Sequence, residues 1–422
     1  MTPPRFSLPR TFLLVSLALA PALLRAQGGT SIPDSAPPRA APTDSAARGP
    51  ARDTTRAPEP KAKPWYERLS LRGYTQIRYG RVIDTDVDAD RRSEGFTIRR
   101  ARLVVCGDVH PRVSAYIQAD LAADLSGTPG VAQLRDAYFD LYLDNAKTFR
   151  LRPGQSKVPY GFENMQSSSN RLPFERTDAL NSAVPGERDL GLVFYWEPSV
   201  ARHRYKTLTD AGLKGSGDYG VFALGVYNGQ GINKPESNDQ EHVVARLAYP
   251  FQLPGGQFIE VGVQGYGGAF TIPASQRTAG VTGDASFDDA RGAASLVIYP
   301  QPIGFQAEWN VGRGPEYDAA TNSIRTQHLT GGYAMVMYRG HAQKQVLTPF
   351  ARWQYYDGGR KADVDARSVL VREVESGIEW QPFSAFELTL AHLYSNRHTS
   401  DGKAPDADAH RQFARVQAQF NY

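Results

Sequence analysis

The sequence predicts an all-β, membrane-spanning fold: an antiparallel β-barrel of about 16 strands with long extracellular loops and short periplasmic turns. Three observations predict it. The chain ends RQFARVQAQFNY, where Ala414, Val416, Ala418, Phe420 and Tyr422 share one face and Arg411, Arg415, Gln417, Gln419 and Asn421 the other. That is a strand apolar on one side and wet on the other, ending on an aromatic ring suited to the headgroup level. At the other end Arg5 and Arg10 precede an almost wholly apolar stretch from Phe12 to Leu24, with Ala26 before Gln27, the order of a cleaved secretory leader. No further apolar run approaches the ~20 residues that a helical span needs, and only helices and closed barrels satisfy every backbone polar group in hydrocarbon. The negative mean hydropathy agrees, because every second barrel residue faces water.

Three regions follow. Residues 1–26 form the leader. Residues 27–64 are rich in Pro, Ala, Ser and Thr and hold almost no large apolar side chain after Ile32, too little to offset chain entropy, and read as a disordered periplasmic linker. Residues 65–422, where aromatic and β-branched residues become frequent, form the barrel. The precursor carries +4, but removing the leader's three arginines leaves 45 basic against 44 acidic residues, about +1. Any preference for anions is therefore local. The single cysteine, Cys106, excludes an internal disulfide framework and a lipid-modified N-terminal cysteine.

The strands announce themselves by period-two alternation. Leu71, Gly73, Thr75 and Ile77 oppose Arg72, Tyr74, Gln76 and Arg78. Val113, Ala115, Ile117 and Ala119 oppose Ser114, Tyr116, Gln118 and Asp120; Phe305, Ala307, Trp309 and Val311 oppose Gln306, Glu308 and Asn310. Both faces turn apolar near 295–299 and 331–338. Long polar links at 81–95, 123–131, 153–187, 228–240, 268–287, 312–327, 357–367 and 396–409 alternate with short ones, which puts both chain ends in the periplasm. The stretch 198–217 is too long for this scheme. Trp196, Tyr249, Tyr299 and Trp380, each just before a turn proline or Glu-Pro or Gln-Pro pair, predict a periplasmic aromatic girdle.

In order along the chain, RGYTQIRYG, FTIRRARL, LRDAYFDLYL, GQSKVPYGFE, ERDLGLVF, VYNGQGIN with Asn238 and Asp239 after it, ARLAYP and FQAEW resemble the phosphate-selective porin O and P family of outer-membrane channels, from about Leu69 to Tyr422. The resemblance implies a 16-stranded barrel, commonly trimeric, that passes anions through a narrow basic waist. It does not imply that every member prefers phosphate.

The residues give the waist a chemistry of their own. The link 153–187 is the longest, and a loop of that length in a compact fold is usually functional; it is expected to fold into the lumen, where fixed charges act in a lower dielectric. Arginine offers a planar fork to two phosphate oxygens, lysine a point charge. Parity puts Arg72, Arg78, Arg100, Arg102, Arg150 and Arg152 on wet faces, with Arg99 at a bulge or near the rim. Arg99 and Arg100 match the family's basic centre best, Lys157 follows, and Asp120 and Asp136 are candidates to orient these bases.

Other readings narrow the field. Lumenal arginines also occur in non-specific diffusion channels, paired with acids such as Asp140, Glu163, Glu308, Glu373 and Glu375, so an oxyanion preference and a general pore both stay open. A secreted β-sandwich binding protein would share the leader and the alternation but turn its apolar faces inward. No serine sits in a nucleophile motif, so the sequence gives no support to an enzyme. Asp84, Asp86, Asp88 and Asp90 alternate as in a calcium loop, but Ala89 and Gly95 stand where glycine and glutamate are needed, which favours a solvated loop and leaves weak divalent binding near lipopolysaccharide as the alternative. The eight histidines lack metal-ligand spacing, and neither cofactor nor nucleic acid is implied. The expected partners are outer-membrane lipid and lipopolysaccharide, phosphate or other small anions, the barrel-assembly machinery through the C-terminal strand, and two further copies in a homotrimer.

Overall fold

The computed structural model describes residues 64–87, 94–122 and 132–422, without the side chains of 404–406. Alternating side chains and extended backbone build one antiparallel sheet. Its first eight staves are β1 (Leu69–Thr85), β2 (Gly95–His110), β3 (Val113–Asp120), β4 (Gln133–Tyr142), β5 (Phe149–Lys157), β6 (Arg188–Trp196), β7 (Phe222–Tyr227) and β8 (His242–Gln252). The rest are β9 (Phe258–Thr271), β10 (Ser286–Ile298), β11 (Ile303–Asp318), β12 (Ser323–Tyr338, resuming as Gly340–Ala342), β13 (Gln345–Gly359), β14 (Ser368–Phe383), β15 (Phe386–Asp401) and β16 (Ala404–Asn421). Every stave pairs with its sequence neighbours, and β16 pairs back onto β1, so the sheet is a closed 16-stranded barrel without a free edge.

The closing seam uses the terminal strand as the sequence predicts. Ile77 stands opposite Ala418, and Gly73 and Tyr422 exchange both main-chain hydrogen bonds, at 2.7 and 3.0 Å. A Cβ on Gly73 would lie 2.6 Å from the Tyr422 ring, so the last aromatic rests on bare backbone. Leu71, Ile117, Phe420 and Tyr422 are exposed on the outer face, whereas Gln76, Gln118 and Gln419 are buried on the inner one. Trp196 and Trp380 are also outward, but Tyr299 is fully buried, its hydroxyl donating to Glu260 at 2.7 Å. The expected girdle loses that member, because its parity points it inward.

Several expected links are shorter than the sequence suggests. β11 and β12 pair out to Asp318 and Ser323, and β15 and β16 out to Asp401 and Ala404, so 312–327 and 396–409 are mostly hairpin. Outside hydrocarbon no lipid face enforces alternation, and pairing continues without leaving its signature. β5 likewise runs through Pro153 to Lys157, and the long loop begins at Val158. The β4–β5 ladder skips Pro153, which has no N–H to give. The leader, residues 27–63 of the linker, and Asp88 and Asp90 of the acidic repeat lie outside the described residues.

The two places where alternation fails have a common cause: the lumen there is a core. Val158, Tyr160, Leu172, Phe174, Leu180 and Val184 of the loop 158–187 pack into one apolar cluster with wall residues that include Tyr333, Met335 and Met337. The loop, with its short helices α1 (Phe162–Met165) and α2 (Asp178–Asn181), therefore needs apolar residues on the inner face of β12. The unplaced stretch 198–217 holds a third helix, α3 (Ser199–Asp210), whose Ala201, Tyr205 and Leu208 fall on one face at helical spacing. They pack with Val297 and Tyr299 of the wall and Phe162 of the loop above. Arg204 donates to the Pro250 carbonyl at 3.0 Å, and Lys214 reaches across to Glu379 at 2.6 Å. This segment spans the periplasmic end of the lumen beneath the long loop.

Trp196 already stands opposite Phe222, so β6 and β7 need only a short turn to remain a hairpin. Replacing residues 199–219 with such a turn is expected to preserve heat-modifiable migration of the folded barrel and to raise single-channel conductance in planar bilayers. Unchanged conductance would show that the segment does not obstruct the lumen.

Candidate functional site

The long loop crosses the barrel because polar groups on every side of it find partners on the wall. Lys157 at the end of β5 donates to the carbonyls of Met165 and Gln166 at 2.7 and 2.8 Å. Gln76 on β1 and Gln419 on β16 donate to the carbonyls of Ser168 and Ser169 at 3.1 and 3.0 Å. On the far side Arg352 of β13 bridges Glu163 of the loop and Glu375 of β14, each at 2.8 Å, and Arg397 holds Asp178 at 2.8 Å. Glu308 accepts the Phe162 N–H at 2.8 Å. Anchors on opposite walls hold the loop across the lumen.

Where the loop passes β1 and β2, three expected arginines converge. Between Gln76 and Ile77 the pairing jumps from Arg100 to Ile98, leaving Arg99 as a β-bulge. The bulge turns two successive arginines the same way. Both meet Glu175 of the loop, Arg99 through Nε to Oε1 at 2.8 Å and Nη2 to Oε2 at 2.9 Å, Arg100 through Nη2 to Oε2 at 3.4 Å. Arg78 adds a fourth contact, Nη1 to Oε1 at 2.8 Å. Burial alone would raise the Glu175 carboxyl, but Arg99, Arg100 and Arg78 outweigh it and hold it well below the usual carboxylate range. Two planar oxygens in a fork of guanidinium N–H groups is the geometry of an oxyanion site.

The remaining expected residues fall elsewhere. Arg102 donates to Asp120 at 2.8 Å and to the Tyr74 hydroxyl at 3.0 Å. Asp136 orients Arg188 at 3.0 Å, a residue that shares the parity of the exposed Leu190 and Leu192, is nonetheless buried, and was not singled out by the sequence reading. Arg152 is paired in bidentate fashion with Asp140, at 2.7 and 2.8 Å, and Arg150 with Asp218 of the lower segment at 3.2 Å. These two stand apart from the Arg78–Arg99–Arg100 cluster. Arg72 is exposed in the lumen, 6.0 Å from the Tyr116 ring centre. Lys157 spends two of its donors on loop carbonyls, so it is a tether of the loop as well as a basic group.

Two chambers flank this crossing. One of about 390 Å³ is bounded by Glu175, Arg352, Glu373, Arg397, Arg411 and Arg415. The other, about 210 Å³, lies on the periplasmic side among Arg72, Arg102, Arg152, Arg188, Lys157 and the lower segment at Ser216 to Tyr219. Among the described residues no group of three or more metal-ligating side chains occurs. Sequence reasoning missed Glu175, Arg188, Arg352 and Arg397. Parity would have found Arg352 and Arg397, but Arg188 shares the parity of the exposed Leu190 and Leu192; for Glu175 the available signal was one acid between basic residues in NRLPFERTD.

The profile of the family described as Phosphate-selective porin O and P matches residues 70–422. Among solved structures, the trimer form of OmpT, an outer membrane protein of Vibrio cholerae, is similar at TM-score 0.53 and 12% identity, covering 84% of this chain and 99% of that one. Salmonella typhi OmpF, in a complex with daunomycin, is similar at TM-score 0.52 and 12% identity, covering 84% and 97%. No curated protein matches the chain.

Removing the Arg352 guanidinium would leave Glu163 and Glu375 buried without their shared cation, a loss of about 3–5 kcal/mol. In Arg352→Ala the loop is expected to loosen, so that trypsin cuts the folded, detergent-solubilised barrel at Arg171 or Arg176, which are buried in the parent protein and expected to resist cleavage there. Equal protection in both would place the loop's main anchor elsewhere.

Proposed function

Because the chain belongs to the phosphate-selective porin O and P family and is a porin of the bacterial outer membrane, we propose that it is a passive channel for small anions, with phosphate or a related oxyanion favoured at the Arg78–Arg99–Arg100 cluster. The observation that carries this reading is that cluster's geometry, a fork of guanidinium donors around two carboxylate oxygens. In this reading Arg72, Arg102, Arg188 and Lys157 supply positive potential on the periplasmic side, and Arg411 and Arg415 on the other. Residues 1–26 are the cleaved leader and 27–64 a periplasmic linker. The terminal strand is the part presented to the assembly machinery, lipid and lipopolysaccharide surround the wall, and three copies associate. The protein conducts and does not catalyse.

A second reading is favoured by one specific observation. Arg152 is paired with Asp140 and Arg102 with Asp120, and Arg188 is shared between Asp136 and Glu187, so these cations are compensated and shape a field across the lumen. A general diffusion pore would need no more.

Reversal potential across a salt gradient in planar bilayers separates the two, followed by phosphate titration of chloride current. The expected outcome is anion selectivity, inhibition of chloride current by millimolar phosphate, and loss of much of both in Arg99→Ala/Arg100→Ala. Cation selectivity would eliminate the arginine site, and chloride current indifferent to phosphate would leave the general pore.

A further inference from the structure

We propose that Glu175 is a tethered occupant of the three-arginine cluster, an internal carboxylate that a permeating oxyanion has to displace, and that it thereby sets how tightly the channel holds anions. The inference rests on the anion-channel reading above and adds a specificity-determining residue to it.

Three observations carry it. Glu175 presents two coplanar oxygens to donors from Arg78, Arg99 and Arg100, the same face that a phosphate would present. Its side chain is 38% exposed, against 9%, 20% and 5% for those three arginines. It bounds the 390 Å³ chamber, while the three guanidinium groups stand behind it and do not. An ion coming from that chamber therefore meets the carboxylate first.

The main chain is fixed on both sides of the carboxylate: the Phe174 N–H donates to Glu375 at 3.0 Å, and the Glu175 carbonyl accepts from Arg352 at 2.9 Å. Displacement thus asks for a side-chain rotation and leaves the loop docked. The same chamber holds Arg415, whose guanidinium lies 4.6 Å from the Phe413 ring centre and makes no hydrogen bond or ion pair to an acid among the described residues. A released carboxylate has a basic surrounding to turn into.

Competition follows from the charge count. One carboxylate among three guanidinium groups leaves two positive charges uncompensated, which favours a divalent or multiply hydrogen-bonding anion over a monovalent one. A group held on a short tether competes at an effective concentration in the millimolar range. Chloride, with no pair of oxygens for the guanidinium fork, gains less by replacing Glu175 than phosphate does.

The test uses the full-length channel in planar bilayers, with inorganic phosphate as the probe. In Glu175→Gln, which keeps the shape and removes the charge, the phosphate concentration that halves chloride current is expected to fall about tenfold, the size of losing one charged hydrogen-bonding competitor. Anion selectivity should rise with it. Glu175→Asp, one methylene shorter and still charged, should shift both in the same direction but less, and it carries the test if the glutamine variant does not assemble. If Arg99→Ala/Arg100→Ala alters phosphate inhibition while neither Glu175 variant moves it beyond about twofold, the tethered-occupant inference fails and the anion site stands. Collapse of anion selectivity in Glu175→Gln would make the residue a support of the site and overturn the inference. If the double-alanine channel is also indifferent, the anion reading itself fails and takes this inference with it.

Discussion

Hydrocarbon offers no partner to a peptide N–H or C=O, and every other feature of this protein follows from meeting that constraint by closure. The seam between β1 and β16 completes the ring, with Gly73 and Tyr422 bonded to each other at its end. Once the backbone is satisfied internally, each strand is free to send apolar side chains out to lipid and polar ones in. The negative mean hydropathy is a consequence of that division.

A ring of 16 strands is wider than its own inward side chains can fill. This chain supplies the filling from both ends, the loop 158–187 from the long-loop side and the segment 197–221 from the short-turn side. The two meet where Asn170 donates to the Gly215 carbonyl at 2.6 Å and Phe162 packs with the face of α3. Filling a polar tube with chain has an electrostatic cost, since buried guanidinium and carboxylate groups lose water, and the lumen offsets it by pairing them. Glu187 illustrates the economy: Arg176, Arg188 and Arg135 all converge on it, at 2.5, 2.6 and 3.2 Å.

The barrel was legible because lipid imposes a period of two that survives in residues such as Val113 to Asp120 and in the terminal strand. Legibility ended where lipid ceased to be the partner. Tyr333, Met335 and Met337 look out of phase in the sequence because they face an apolar loop inside the lumen. α3 escaped notice because a helical spacing of Ala201, Tyr205 and Leu208 was embedded where only turns were expected. The arginines were placed by parity, and even the bulge at Arg99 was foreseen as one of two options. Their partners were not: Glu175 lies some 75 residues from Arg100 in the chain, and no local pattern couples them. Lys157 was singled out for its charge, and nothing in the sequence signals that its donors are turned to the loop's main chain.

The difference between a lumen that shapes a field and one that holds an ion lies in charge surplus at short range. A compensated pair such as Arg152–Asp140 presents a dipole to a passing ion, and two of its guanidinium donors are already spent on the carboxylate. At Arg78, Arg99 and Arg100 three cations share one carboxylate, so the local charge remains positive with that carboxylate in place. The bulge makes this surplus possible, because regular alternation would have sent one of two adjacent arginines into lipid. A one-residue irregularity in β2, joined to a loop long enough to reach it, thus concentrates positive charge in a chain whose overall balance is almost even.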